Sequence, residues 1–321
     1  MYWNKQPINR KKRVHPAGEI RATQTAATVS EHPWTVTIVP PSPVDLSAFL
    51  EQHYVKQEHD VKLMEWCLSK CLVAVSVFDK QQEWVGFAMT LPLQEITLGT
   101  RSYEKVFYGN YLCVHTEHRG KGMAPVIIER CIQESQRCGY NCGLMNRVNF
   151  LNRNKAWPSA MVPINYCETL PSKDEAFPRT IPYDPKRHLK HLREWLFEKK
   201  NTPGSIQCVW DVDRWLANPP FILRVCLDGS QQPVGAFAFL IIKGEEPRAN
   251  GLFCVGKNIS KTMATAIQIS STVYGCTSYY TFQPCEAVPF MTALKDTHLT
   301  VYTFGCSSGK NTWKDFNMIV F

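Results

Sequence analysis

The chain has 321 residues and 44% of them are hydrophobic, which is enough for two ordinary domains and excludes wholesale disorder. Its net charge at pH 7 is +8, and much of the excess lies in the basic run Arg10–Arg13. We expect this run to be a solvated arm, although a polyanion such as ribosomal RNA could bind it. A nucleic-acid groove would need basic residues interleaved with aromatic residues, and the sequence shows no such stretch.

The first half of the chain is predicted to combine helices with a hairpin and a central strand. Prolines and polar residues dominate positions 8–43, so this stretch is predicted to be an extended arm around the domain. Asp45 is predicted to cap the helix that follows it. The predicted elements are helices over 46–55 and 62–69, strands over 72–78, 84–93 and 105–114, a helix ending near 136 and a strand over 143–150, with polar turns over 79–83 and 100–104.

The second half begins after a stretch rich in Pro, Lys, Asn and Ser at 152–182, which is predicted to hold the linker, around 171–185. Asp184 and Pro185 are a typical helix start. The elements predicted beyond them are helices over 185–199 and 212–217 and strands over 221–227, 234–242 and 315–321. The expected domains are therefore 1–170, which includes the arm, and 184–321.

Two hairpins share a sequence pattern, which suggests that the fold is duplicated. The pattern D-x-x-Q-x-x-V-G begins at Asp79 and again at Asp228, at a domain-sized spacing. A helix and a short helix are predicted before each hairpin. The alternative is coincidence, because any such hairpin needs a turn residue and apolar strands.

The stretch 112–130 has the pattern of an anion-binding site. A strand that ends at Val114 is followed by a basic, glycine-bearing turn at 119–122 and then by apolar residues at helical spacing. The free N–H groups of a first helical turn attract negative charge, and glycines let the backbone approach a phosphate. Pro125 suits the first turn of the helix. A tight structural turn is the alternative interpretation of Gly120 and Gly122.

The 13 cysteines are interpreted as small buried hydrophobic residues in a reducing compartment. They form no C-x-x-C pair, so no metal site is expected. The N-terminal residues have no signal-peptide pattern, and no apolar run approaches the ~20 residues of a membrane span. We therefore expect a soluble cytoplasmic protein without a transmembrane segment.

The strand, basic turn and helix resemble the acyl-CoA loop of the GCN5-related N-acyltransferase (GNAT) fold, whose R-x-x-G-x-A pattern is present at 119–124. The chain as a whole resembles eukaryotic-type glycylpeptide N-myristoyltransferase. That family opens its core with F-W-x-x-Q-P and has the central motifs N-F-L-C-V-H and L-R-S-K-R-x-A-P-V-L-I. The corresponding segments are Y-W-N-K-Q-P at 2–7, N-Y-L-C-V-H at 110–115 and H-R-G-K-G-M-A-P-V-I-I at 118–128.

The resemblance implies an α+β fold of two tandem GNAT-like units around a mixed, saddle-shaped sheet with flanking helices. It implies a monomeric acyltransferase that moves a myristoyl group from myristoyl-CoA to the N-terminal glycine of a peptide or nascent protein, without a metal. The C-terminal half would be the peptide side. The residues implied to bind myristoyl-CoA are Tyr2, Trp3, Leu112, Cys113, Val114, Arg119, Gly120, Lys121, Gly122, Met123 and Ala124. Those implied to contact the peptide are Glu58, Asp60 and Asn146.

The resemblance also implies a mechanism without a side-chain nucleophile. The backbone N–H groups of Tyr111 and Leu112 would form an oxyanion hole, worth roughly 3–4 kcal/mol for each donor. The terminal carboxylate of Phe321 would take the proton of the attacking glycine amine, because burial raises the pKa of a carboxyl group. Asn110 would orient the amine, or it is a plain side chain at the end of a strand.

Several segments depart from the family pattern. Gly143–Arg147 stands where the family has a T-A-G segment, so Asn146 is the candidate replacement for its threonine. The family has an acidic loop that binds the peptide, and Glu58 and Asp60 lie near its position in this chain. Lys56 and Gln57 interrupt the acidic residues there. Two further hypotheses therefore remain: an N-acetyltransferase that uses a short acyl chain, and a non-catalytic relative that binds acyl-CoA or lipidated peptides.

Overall fold

The computed structural model describes residues 18–19, 33–54, 59–98, 101–148, 160–168, 177–197, 205–209, 211–281, 291–304, 306–307 and 315–317. The chain divides into two compact units. The first comprises Met1–Met161 and Thr300–Thr312, and the second comprises Val162–Leu299 and Trp313–Phe321. The division falls earlier than the predicted boundary near 170, because residues 165–168 pair with a strand of the second unit.

The elements are numbered in chain order. The helices are α1 (Pro43–His53), α2 (Val61–Lys70), α3 (Met123–Arg137), α4 (Pro185–Phe197), α5 (Val212–Leu216) and α6 (Ile259–Thr272). The strands are β1 (Gly18–Glu19), β2 (Thr35–Thr37), β3 (Val73–Phe78), β4 (Trp84–Leu98), β5 (Arg101–Val114), β6 (Cys142–Val148), β7 (Ala160–Glu168), β8 (Arg179–Pro182), β9 (Ser205–Val209), β10 (Ile222–Leu227), β11 (Pro233–Ile242), β12 (Arg248–Gly256), β13 (Ser278–Thr281), β14 (Thr292–Phe304), β15 (Cys306–Ser307) and β16 (Asp315–Asn317).

The first unit is built on strands in the order β2-β3-β4-β5-β6. Neighbouring strands are antiparallel except β5 and β6, which are parallel and are joined through α3. The buried side chains of Met123, Ile127 and Cys131 pack α3 against the valines of β3. A Cβ atom at Gly86 of β4 would lie 2.8 Å from Ile127 Cδ1, so glycine is needed for this close approach.

The second unit repeats this arrangement. Its strands follow the order β8-β10-β11-β12-β13-β7, and all neighbours are antiparallel except β12 and β13, which are parallel and are joined through α6. The side chains of Met263 and Ala266 pack α6 against Phe237 and Phe239 of β11. Two helices precede the hairpin in each unit, α1 and α2 in one and α4 and α5 in the other. The predicted duplication of one α+β unit is therefore confirmed.

The two matched hairpin turns have the same hydrogen bonds. Oδ1 of Asp79 accepts the backbone N–H groups two and four residues further on, each at 2.9 Å. Oδ1 of Asp228 accepts the two equivalent N–H groups, also at 2.9 Å. Gln82 and Gln231 both have positive φ angles, of 65° and 64°. The shared sequence pattern thus encodes one turn structure at the same place in both units.

Most of the predicted elements are present, but one predicted helix cap and one predicted turn are wrong. Ser42, rather than Asp45, is the N-cap of α1, because Asp45 N donates to Ser42 Oγ at 3.1 Å and Pro43 follows at the first helical position. Residues 101–104 of the predicted turn over 100–104 belong to β5, because the pairing of β4 with β5 continues as far as Leu98 and Arg101.

The predicted linker region contains two strands. The structure has β7 and β8 within 152–182, and β8 is the end strand in the order of the second unit. Proline is tolerated in such edge strands, so the composition of the stretch is misleading. The sequence patterns also predict neither β9 nor any element between 243 and 314, where the structure has β12, α6, β13, β14 and β15. Of the predicted strand over 315–321, the part beyond 317 lies outside the described residues.

Most of the described cysteines are buried free thiols, as the sequence predicts. Burial raises the pKa values of the Cys67 and Cys131 thiols to about 12, so these side chains are inert packing groups. Within the ranges that the structure describes, no helix is long and apolar enough to cross a membrane.

Candidate functional site

Residues 115–122, here called the α3 loop, form an open cradle at the start of α3. Gly120 and Gly122 have φ angles of 77° and 85°, which L side chains rarely adopt. No described atom lies within 4 Å of the position that a Cβ atom would take at either glycine. Gly122 is the N-cap residue and offers no side chain to the first-turn N–H groups. Backbone donors, helix dipole and free space together favour a bound anion.

The corresponding turn of the second unit is closed. Both turns begin at equivalent points, because the N–H groups of His115 and Lys257 each donate at 2.9 Å to the equivalent carbonyls of β4 and β11. Only Lys257 and Asn258 then connect β12 to α6. The side chain of Asn258 caps α6 by accepting the N–H of Lys261 at 2.9 Å. The start of α3, and not that of α6, is therefore arranged for an anion.

The strand β5 carries a β-bulge at the residues predicted to form the oxyanion hole. Tyr111 and Leu112 face a single residue of β4 between the pairs Phe87–Cys113 and Met89–Asn110. Tyr111 has a φ angle of 53°, which is unusual for a bulky residue. Its N–H donates to the side-chain oxygen Oδ1 of the preceding Asn110 at 2.9 Å. A bulge departs from the regular ladder, so these backbone groups are placed differently from those of the rest of β5.

Asn110 and Asn146 occupy adjacent register positions. The parallel pairing of β5 with β6 runs from Val106–Cys142 to Gly109–Met145. Asn110 and Asn146 are the next residues on the two strands, directly beyond this pairing. The fold thus brings Asn110, which is predicted to orient the substrate amine, next to Asn146, which is predicted to contact the peptide, although the side chain of Asn146 lies outside the described residues.

The side chain of Tyr111 belongs to the packing between β5 and the helices. It is only 6% exposed, it shares a hydrogen bond with Cys67 of α2, and its ring centroid lies 6.3 Å from that of Tyr54. Burial, with smaller contributions from Cys67 and Tyr54, raises the pKa of Tyr111 well above its usual value. Only the backbone of Tyr111 is therefore suited to contact a substrate.

The other residues of the predicted acyl-CoA site lie along the end of β5 and around the α3 loop. Cys113 is buried, and Leu112 and Val114 are half-buried and pack against the core beneath α3. Met123 is also buried, so its backbone rather than its side chain can face an anion, and Ala124 is half-buried. Lys121 is exposed on the loop.

Arg119 is exposed, but its guanidinium group is engaged by the protein. Nε donates to the carbonyl of Val114 at 3.2 Å, and Nη2 donates to the carbonyl of His53 at the end of α1. The sequence patterns do not predict the contact with His53, because His53 is distant from Arg119 in the chain.

A histidine cluster formed by His53 and two residues of the α3 loop is a feature that sequence reasoning missed. The ring of His53 lies 4.0 Å from that of His115, which lies 5.5 Å from that of His118. Burial, and then the neighbouring His115 and Arg119, lowers the pKa of His53, so its ring is neutral at pH 7. Among the residues with described positions, no group of three or more His, Cys, Asp or Glu side chains is arranged to hold a metal ion.

Asp60, predicted to contact the peptide, is the N-cap of α2. Its Oδ1 accepts the N–H groups of Lys62 at 2.7 Å and Leu63 at 3.4 Å, so one carboxylate oxygen already serves the helix. The remaining candidate residues, Tyr2, Trp3, Glu58 and Phe321, lie outside the described residues, and their roles stay predictions.

The class of fold is defined first by a family match. Residues 44–155 match the model of the Acetyltransferase (GNAT) family. The matched range begins in α1 and extends beyond β6, so it includes the strands β3 to β6 of the first unit and the α3 loop. The first unit therefore has the acyltransferase fold that the R-x-x-G-x-A pattern predicts. No curated protein matches the sequence significantly.

Solved structures extend the likeness to the whole chain. Two structures of Saccharomyces cerevisiae N-myristoyltransferase with bound myristoyl-CoA have TM-scores of 0.75 and 0.74, each at 12% identity, and the likeness covers 100% of this chain and 93% and 99% of theirs. A protein of unknown function from Enterococcus faecalis V583, described as a probable N-acyltransferase, has a TM-score of 0.51 at 10% identity, over 85% of this chain and 72% of that one. The chain therefore has the tandem GNAT-like fold of the N-myristoyltransferase structures, and the predicted fold class is confirmed.

Proposed function

We propose that this protein transfers a myristoyl group from myristoyl-CoA to the N-terminal glycine of protein substrates. The observation that carries the proposal is the open helix start at Gly122 beyond a bulge at Tyr111. The first offers backbone donors to a diphosphate, and the second offers them to a thioester. The full-length likeness to N-myristoyltransferase structures supports the choice of acyl chain and of a peptide acceptor.

The reaction needs no nucleophile from the protein. The glycine nitrogen attacks the thioester carbonyl carbon, the C–S bond breaks, and CoA leaves as the thiol after its sulfur takes up a proton that the amine loses. In the proposal the N–H groups of Tyr111 and Leu112 stabilise the charge on the carbonyl oxygen, at roughly 3–4 kcal/mol for each donor. Oδ1 of Asn110 accepts the N–H of Tyr111 in the structure. In the proposal, the carbonyl oxygen of myristoyl-CoA replaces Oδ1 as the acceptor of this N–H group. The side-chain amide of Asn110 is then free to orient the glycine amine.

The terminal carboxylate of Phe321 is the proposed base. A free α-amino group has a pKa of about 8 and a free α-carboxyl group one of about 3.5, so the carboxylate needs an apolar site that raises its pKa. Direct contact with the amine makes the transfer efficient. The buried Tyr111 and Cys67 are unsuited to this role, because burial holds both side chains in their protonated forms.

The donor would lie along the end of β5 with its phosphates at the α3 loop. We place its acyl chain and pantetheine arm beside Leu112–Val114 and its diphosphate at Gly120–Ala124. Tyr2 and Trp3 would pack against it. The half-buried and apolar side chains at the end of β5 are compatible with this placement.

The acceptor is proposed to be a cytoplasmic protein or nascent chain with an N-terminal glycine. Glu58 and Asp60 would attract a basic residue of the peptide, and Asn146 would stand in for the threonine of the family pattern. Asp60 could do so with the carboxylate oxygen that does not cap α2.

An N-acetyltransferase is the second candidate. The family model that matches residues 44–155 is one of acetyltransferases, and the loop glycines Gly120 and Gly122 resemble that family more than N-myristoyltransferase. An acetyl group would need no cavity for a long chain, so acyl-chain preference separates the two candidates.

Transfer of a labelled acyl group to an octapeptide that begins with glycine tests the proposal. Myristoyl-CoA and acetyl-CoA are supplied separately, and the same peptide beginning with alanine is the matched control. We expect myristoyl transfer to the glycine peptide alone. Transfer of acetyl alone would identify an acetyltransferase, and CoA binding without transfer would identify a binding protein. Absence of both binding and transfer would contradict the proposed site.

Residues appended after Phe321 test the proposed base. They should abolish turnover and leave myristoyl-CoA binding intact, because they displace the carboxylate but not the α3 loop. A C-terminal amide made by peptide ligation is the matched variant, since it removes the charge without adding bulk. Full activity of either protein would remove this carboxylate from the mechanism.

A further inference from the structure

The guanidinium group of Arg119 joins two elements of the first unit. Nε donates to the carbonyl of Val114 at the end of β5, and Nη2 donates to the carbonyl of His53 in the last turn of α1. The last four carbonyls of a helix lack partners within the helix, and they carry the negative end of its dipole. The planar guanidinium group has N–H donors in two directions, so it can bridge a helix-end carbonyl and the carbonyl of a neighbouring strand.

The same helix end holds the α3 loop through a second contact. Nδ1 of His53 lies 2.9 Å from Oγ1 of Thr116, and its ring packs at 4.0 Å on that of His115. His53 is held in turn by Phe49, at 4.9 Å between ring centroids, and Phe49 stacks at 4.3 Å on Trp84 of β4. The loop is therefore fastened to a helix end that is itself anchored on the sheet.

The direction of Arg119 bears on its role. It is the first residue of R-x-x-G-x-A and one of those that the resemblance assigns to acyl-CoA binding. Its N–H groups instead donate to protein carbonyls of α1 and β5. In the sequence, Arg119 directly precedes the segment with Gly120 and Gly122, whose φ angles of 77° and 85° open the cradle. A group in this place can fix where the loop backbone begins without touching a phosphate.

We propose that Arg119 is a positioning residue, and not a phosphate ligand, and that with the His53–Thr116 contact it sets the position of the α3 loop. This inference rests on the proposed acyl-CoA site. The phosphate is held by backbone N–H groups of the loop, and Arg119 holds the loop against α1. A displaced loop would lose affinity because those N–H groups would no longer converge on one anion.

Coenzyme A binding, measured by calorimetry over a range of salt concentrations, tests the inference. We expect R119Q and R119K both to weaken binding about ten- to hundredfold, because lysine cannot donate to both carbonyls. R119K keeps the positive charge, so it should also keep the wild-type dependence of affinity on salt. K121Q is the comparison on the same loop: removing an exposed cation should make the salt dependence shallower.

A phosphate ligand would behave differently. In that case R119K would retain most of the affinity and R119Q would lose it. Either that pattern or wild-type binding by R119Q would overturn the inference. Failure of the wild-type protein to bind coenzyme A would instead contradict the proposed function, so the two failures are distinguishable.

A double-mutant cycle tests the joint role of the two contacts. T116V removes the hydrogen bond with His53 Nδ1 and keeps the shape of the side chain. Because both contacts fasten one segment, the losses of coenzyme A affinity in T116V and R119Q should be non-additive. Additive losses would show that the two contacts act separately and would contradict the shared role.

Discussion

Replacing Gly122 with valine should have two separable effects. It should lower the free energy of unfolding through backbone strain, and it should weaken the binding of an anion at the start of α3. Gly122 has a φ angle of 85°, and no described atom lies within 4 Å of the position of its missing Cβ atom. The Cβ atom of valine therefore meets no neighbour beyond the adjacent residues, and the main cost to folding is the strain of the left-handed region, roughly 1–2 kcal/mol. Its isopropyl group would, however, occupy the space in front of the α3 N-terminus.

Gly139 offers a matched control at the other end of the same helix. It has a φ angle of 86° and equally free space around its missing Cβ atom. G122V and G139V should therefore lose similar free energies of unfolding, with a drop in Tm of about 2–4 °C for each kcal/mol in a unit of this size. Their effects on the bound anion should differ, because only Gly122 caps the open helix start.

The size of the expected loss in affinity follows from the hydrogen bonds that G122V would remove between the α3 loop and the anion. A hydrogen bond to a charged group contributes about 1.5–3 kcal/mol, so losing one costs about ten- to hundredfold in Kd. Calorimetric titration with coenzyme A should show this loss for G122V and wild-type affinity for G139V. Equal affinities of the two variants would refute the assignment of the anion to the α3 loop.

Three further predictions concern stability. A Cβ atom at Gly143 would overlap the ring of buried Phe107, so G143A should lose about 1–3 kcal/mol in chemical denaturation, and F107L in the same chain should recover part of it. Burial lowers the pKa of His188, whose Nδ1 accepts the N–H of Asp184 at 2.9 Å. As the pH falls through about 6.5, the unfolded chain takes up a proton that folded His188 resists, so Tm should fall, and less steeply in H188Q. N258A should lose the cap of α6, about 1 kcal/mol, while coenzyme A affinity stays unchanged.

The elements whose signals are local could be predicted from the sequence. Gly120, Gly122 and Pro125 lie within a few residues of one another, and each specifies the backbone at its own position. The hairpin turns at Asp79 and Asp228 are equally local, because each carboxylate accepts N–H groups from its own turn. Such features need no knowledge of the distant chain, and the predicted loop, helix and duplicated turns are confirmed.

The features that depend on pairing could not be predicted in this way. The bulge at Tyr111 arises from the register of β5 against β4, and a tyrosine rather than a glycine adopts the positive φ angle. The contact of Arg119 with His53 joins residues that are far apart in sequence. The composition of the predicted linker indicates a loop, but β8 forms there because the neighbouring β10 offers it an edge.

The two units show why the function should be assigned to the loop rather than to the scaffold. Both contain the same aspartate turn, the same hairpin and a helix that leads to a parallel strand, and both turns before that helix begin with equivalent hydrogen bonds. If the scaffold were sufficient, both helix starts would be suited to an anion. The start of α6 is instead closed by Asn258 after a two-residue connection, whereas Gly122 leaves the start of α3 open. One acyl-CoA for each chain is therefore the expected stoichiometry, and calorimetry that found two equivalent sites would contradict this reasoning.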